Sequence, residues 1–237
     1  MGMRYFGTSV QRQEDYKFLT GNGRYVDDIE LAGMLHAAFL RADVAHARIN
    51  NIDTARAKKL PGVHAVFTLD DLGAPYPDKP MVTAYGSPLL KQPICQYLLA
   101  KDEVCFVGQT VALVIAESRH TAEDAVSRII VDYEPLPAVA DCRTALDPGS
   151  PIAHLGTENN LVGNFYNKYG DIEGAFRQAD HVLNVDFLEH RGGCHAMECR
   201  NILVNYDASL DETTIHLTTQ APFLIRRLMA RFLEEDE

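Results

Sequence analysis

Apolar positions along the chain switch between a period of two and a period near 3.6, and the switches divide it into short elements. "MLHAAFLRA" (34–42) predicts a buried strand, and "ARINNID" (47–53) a second strand ending at Asp53. Asp53 is a good cap for the short helix "TARAKKL", which Pro61 and Gly62 end. "VHAVFTLDDL" reads as strand and turn, giving the order strand, strand, helix, strand. "CFVGQTVALVIAES" predicts two strand pieces around Gly108. "RHTAEDAVSRI" predicts a helix with Ala122, Ala125, Val126 and Ile129 on one face. "IIVDYEPLP" predicts a further strand, terminated by Pro135 and Pro137.

Two stretches interrupt this pattern. Residues 73–94 carry a proline cluster without period, as long functional or mobile loops do. Residues 135–160 hold Pro135, Pro137, Pro148 and Pro151, which places a domain boundary there. Beyond it, Asp171 predicts the cap of a short helix with Ile172, Ala175 and Phe176 facing inward. "HVLNVDFLE" alternates and predicts a strand burying Leu183, Val185 and Phe187. "NILVNYD" and "TTIHLTT" predict two strands around the turn "ASLDE". Pro222 opens a last helix that buries Leu224, Leu228 and Phe232.

Charge and composition narrow the function classes. The formal net charge is −11, and the short basic stretches "ARAKK" and "IRRLMAR" sit on predicted helices, so nucleic acid is not an expected partner. No apolar run approaches the ~18 residues of a membrane span. The first residues lack the apolar core of a secretory signal. Five scattered cysteines, an odd count, read as reduced thiols in a cytoplasmic protein.

Candidate chemistry is sparse. In "EHRGGCHAMEC", His190, Cys194, His195 and Cys199 are of metal-ligating type. The cysteines stand too far apart for a Cys-x-x-Cys pair and no second pair follows, so the stretch reads as a loop between strands. Cys194 beside His195 does not make a nucleophile, because neighbours on an extended chain point to opposite faces. Asp27 with Asp28, and Asp70 with Asp71, read as solvated caps in turns. "TGNGRYVDD" reads as a plain turn at Gly21 and Gly23, since no helix follows to cradle a phosphate. Gln220 stands between a strand and the Pro222 helix, a corner where α/β proteins often bind ligands. On the residues alone it is first of all a helix cap.

Four stretches in sequence order carry a resemblance. They are "GNGRYVDDIELAGMLHAAFLRADVAHARINNIDTARAKKLPGVHAVFTLDDL", "FVGQTVALVIAESRHTAEDAVSRIIVDYEPLPAVAD", "GDIEGAFRQADHVL" and "LTTQAP". From near residue 7 to near residue 233 the chain resembles the molybdenum-binding large subunit of the xanthine dehydrogenase, aldehyde oxidase and carbon monoxide dehydrogenase family. The resemblance implies an α+β chain. Residues 1–140 are expected as an α/β-hammerhead domain and 150–237 as the beginning of a molybdopterin-binding α/β domain.

It further implies a molybdenum–molybdopterin cytosine dinucleotide cofactor in the complete enzyme. The implied reaction inserts water-derived oxygen into an aldehyde or N-heterocycle, or oxidises carbon monoxide. Implied partners are the remaining part of the molybdenum subunit, an iron–sulfur subunit with [2Fe–2S] clusters and an FAD subunit. By the same resemblance Gln220 hydrogen-bonds an oxygen ligand of molybdenum. No catalytic residue and no metal ligand is expected within these residues. The family's "GGGFG" loop and its glutamate general base are absent from the 237 residues, and Cys199 stands where relatives carry proline or threonine. Activity is therefore expected only when the remainder is supplied. The rival expectation is a free-standing small-molecule-binding or assembly domain, or a truncated relic.

Overall fold

The computed structural model describes residues 6–81, 91–92, 94, 96–189, 192–193 and 195–236. In chain order the elements are α1 (Asp15–Leu19), β1 (His36–Arg41), β2 (Ala47–Asp53), α2 (Ala55–Lys58), β3 (Val63–Phe67), β4 (Glu103–Val104), β5 (Thr110–Ala116), α3 (Arg119–Val126), β6 (Ile130–Pro135), α4 (Ile172–Gln178), β7 (Ile202–Asp207), β8 (Glu212–Leu217) and α5 (Pro222–Leu233). Two compact units divide them: residues 34–187 with 226–237, and residues 1–33 with 188–225.

The larger unit is built on two three-stranded sheets, ordered β1-β5-β3 and β4-β2-β6. β5 runs antiparallel to both neighbours, with Phe39 and Phe67 each opposite Leu113. β2 runs antiparallel to β6, with Ile52 opposite Val131. β1 proves half-buried rather than buried, alternating along its length, with Phe39 left exposed. That is the pattern of an edge strand with one face on the core.

α3 lies on the first sheet through Ala122 and Ala125, both fully buried against Ala112, Val114 and Ala116 of β5. Small side chains on both surfaces let the helix approach the strand closely. Ser118 starts the helix by accepting the Thr121 N–H at 3.1 Å. α2 follows the expected logic one residue out of place. Thr54 occupies the cap position, while Asp53 Oδ1 accepts the Ala55 N–H at 2.9 Å. A second apolar cluster, Ala42, Ala47, Ala100, Val104 and Val111, fills the space beside β2 and β4. Gly108 turns the chain between β4 and β5 at φ +93°, a conformation few other residues adopt.

Two expectations fail beyond residue 160. Asp171 does cap α4, accepting the Gly174 N–H at 2.9 Å. Its Ile172, Ala175 and Phe176 face solvent, however, and only Gly174 is buried. "HVLNVDFLE" forms no strand, and Leu183 and Phe187 are 90% and 91% exposed. Among the described residues no strand pairs with it, and an unpaired extended segment gains neither ladder bonds nor cover.

In the smaller unit β7 and β8 form the expected hairpin, with Ile202 opposite Leu217 and Asp207 opposite Glu212. Gly21 takes φ +72°. Gly23 does not need positive φ; a Cβ there would fall 2.9 Å from the Phe18 ring, which stacks on Tyr25. Leu224, Leu228 and Phe232 of α5 are half-buried. In the larger unit Phe232 stacks on Tyr76 at 5.8 Å, and Lys79 Nζ donates to the Phe232 carbonyl at 2.5 Å and to Glu234 at 2.6 Å. Among the described residues no helix is long and apolar enough to cross a membrane.

Candidate functional site

Gln220 stands in the four-residue corner between the end of β8 at Leu217 and the start of α5 at Pro222, and its side chain is exposed. It does not cap the helix. The accepting hydroxyl at this corner is Thr219, which takes the Ala221 N–H at 3.0 Å. Thr218 ties the strand end to the segment before β7: its Oγ1 donates to the Cys199 carbonyl at 3.1 Å, and its N–H to the Asn201 carbonyl at 3.1 Å. The first turn of α5 closes from the Ile225 N–H to the Ala221 carbonyl at 3.0 Å. The Gln220 amide thus projects from a backbone held on both sides. Among the described residues no partner bonds it. An NH2 donor group and a carbonyl acceptor in one plane suit a polar, oxygen-bearing group, and the helix N-terminus beside it favours negative charge. This corner therefore fits an anionic, oxygen-rich cofactor on one side.

The other residues weighed in the sequence fall out differently. His190 and Cys194 lie outside the described residues. Cys199 is exposed, and His195 has φ +42°. The acidic pairs do cap turns. Asp28 Oδ2 accepts the Tyr25 N–H at 2.8 Å, and Asp71 Oδ2 accepts the Thr68 N–H at 2.8 Å and its hydroxyl at 2.7 Å. Those Thr68 bonds hold the Asp71 carboxyl below the usual carboxylate value.

The larger unit holds a polar cluster that sequence inspection missed. His46 immediately precedes β2, Glu103 opens β4, and Cys105 follows β4. Pairing of Arg48 with Glu103 brings the segments together. His46 is buried, its Nδ1 lies 2.9 Å from the Pro137 carbonyl, and its Nε2 lies 3.3 Å from Glu103 Oε2. Both Glu103 oxygens accept from the Leu155 N–H, at 3.0 and 2.9 Å. Burial first, then the Glu103 charge, pushes the Cys105 thiol up to about 12. Ligand-type atoms of His46, Glu103 and Cys105 all lie within 4.8 Å of one another. Glu103 and Cys105 also line a cavity of about 280 Å³ with Gln109, His154 and Thr157. The local signal was the Glu-x-Cys spacing, which puts two side chains on one face of an extended segment.

Comparison with known proteins sets this geometry in a family. Residues 20–137 match the aldehyde oxidase and xanthine dehydrogenase a/b hammerhead domain. Residues 154–237 match the molybdopterin cofactor-binding domain. The chain is 37% identical to the nicotine 6-hydroxylase large subunit of Paenarthrobacter nicotinovorans, over 98% of this chain and 28% of that protein. It is 37% identical to the carbon monoxide dehydrogenase large chain of Afipia carboxidovorans, over 94% of this chain and 28% of that protein. Quinoline 2-oxidoreductase from Pseudomonas putida 86 superposes with a TM-score of 0.81 at 36% identity, covering 95% of this chain and 28% of that one. The chain spans a little over a quarter of the length of these relatives. With a hammerhead match followed by a molybdopterin-binding match, it belongs to the family of the xanthine dehydrogenase, aldehyde oxidase and carbon monoxide dehydrogenase molybdenum-binding subunits.

Proposed function

We propose that the chain is the N-terminal part of a molybdenum hydroxylase large subunit that oxidises an aldehyde, a nitrogen heterocycle or carbon monoxide with water-derived oxygen. The observation that carries this reading is the order of the two matched domains along one chain. Relatives named for nicotine and for carbon monoxide support the substrate classes. Residues 1–140 are the hammerhead domain and 150–237 the opening portion of the molybdopterin-binding domain. The remainder of the subunit brings the general base.

When bound, the molybdenum cofactor, in its cytosine dinucleotide form, supplies the two-electron oxidation. Gln220 is this chain's contribution to holding it. Its amide donates and accepts from a corner fixed by β8 before it and Pro222 after it. [2Fe–2S] and FAD partner subunits carry the electrons away, and the assembly is cytoplasmic.

The test is co-purification of the chain with the remainder of the subunit and its partners, with molybdenum and pterin measured. Gln220→Leu in that assembly keeps the volume and removes donor and acceptor. Turnover per molybdenum is expected to fall about 10- to 100-fold with the melting temperature unchanged. A lowered melting temperature with unchanged turnover would make Gln220 a purely structural residue. An assembly without molybdenum or pterin would overturn the whole reading.

A further inference from the structure

We propose that His46, Glu103 and Cys105 are the three protein ligands of a divalent-cation site of zinc type. A backbone carbonyl only accepts, so the Pro137 oxygen at 2.9 Å places the proton of a neutral imidazole on Nδ1. The lone pair then sits on Nε2, which faces Glu103 Oε2 at 3.3 Å. Two acceptors this close, with the imidazole 5% exposed, call for a shared proton or a cation between them. Histidines that bind metals use this arrangement, donating the far N–H to a carbonyl that fixes the tautomer.

Glu103 is held in the same way. Both its oxygens accept from the Leu155 N–H, so the carboxylate cannot swing freely into solvent. Cys105 adds the third atom and the selectivity. Nitrogen, oxygen and sulfur within 4.8 Å of one another form a borderline-soft donor set. A divalent cation takes the Cys105 sulfur as a thiolate ligand, displacing its proton. The adjoining cavity gives the cation a path in and room for water at a fourth position.

The experiment uses the full 237-residue chain, stripped with chelator and titrated with zinc by calorimetry, then with cobalt by absorption spectroscopy. One zinc is expected to bind at this cluster with proton release that scales with buffer ionisation enthalpy. Cobalt is expected to show a thiolate charge-transfer band. Cys105→Ser and Glu103→Gln keep shape and the Leu155 bond, and circular dichroism checks their fold. Each is expected to weaken this zinc binding at least about tenfold, and Cys105→Ser to abolish the cobalt band. Absence of zinc binding in the wild type, or binding retained undiminished in either folded variant, overturns the proposal and leaves a proton shared between His46 and Glu103.

Discussion

β5 and residues 181–187 carry similar apolar patterns and end in opposite environments. β5 has a neighbour on each side, and its Val111 and Val114 are fully buried. Residues 181–187 alternate more strictly, yet Val182 and Val185 remain more than half exposed and no strand forms. The difference lies in the neighbours. Alternation supplies a face, but the ladder bonds and the cover come from other segments. The helices repeat the lesson. α3 and α4 are capped by the same device, Ser118 and Asp171, and only α3 has a sheet to lie on.

The largest expected effect breaks this contrast directly. Val114→Asp places an unpaired charge in the sheet core and is expected to cost at least about 3–5 kcal/mol, enough to unfold a marginal domain. Leu183→Asp is expected to change stability by less than about 0.5 kcal/mol. Urea denaturation of both variants measures the gap. A comparable loss from Leu183→Asp would show that residues 181–187 are packed in solution.

The caps sharpen the comparison at smaller scale. Ser118→Ala is expected to cost about 1 kcal/mol of global stability, because α3 is part of the core. Asp171→Ala is expected to fray α4 alone, seen as faster amide exchange at 172–178 with the urea midpoint unmoved. A shifted midpoint in the second variant would tie α4 to the cooperative unit.

The smallest effect concerns pH within the packed region. Thr68 holds the Asp71 carboxyl low, so its contribution is complete above the ordinary carboxylate range and is lost as pH falls through the lowered value. Asp71→Asn is expected to cost less than about 1 kcal/mol at neutral pH, since the group is partly exposed. The difference from wild type should shrink in acid. A gap that is constant across that range would mean the charge contributes nothing.

Local chemistry by itself determined most element positions in this protein. Short apolar runs bounded by turn residues marked β1, β2, β3 and β5, the small-residue face marked α3, and Asp171 marked the start of α4. Each depends on residues within a few positions of one another, where propensity and caps act. The resemblance carried by "LTTQAP" singled out Gln220, and the fold showed that Thr219, one residue earlier, accepts at that corner. Tertiary structure alone decided burial and convergence. Both "TVALVIA" and "HVLNVDFLE" read locally as strands, and only the cover from β1, β3 and α3 decides which of them forms. Nothing local announces His46 with Glu103 and Cys105 either. Their side chains meet only because β2 and β4 pair antiparallel, a contact whose loop-closure cost is repaid by the whole sheet and not by the three residues it brings together.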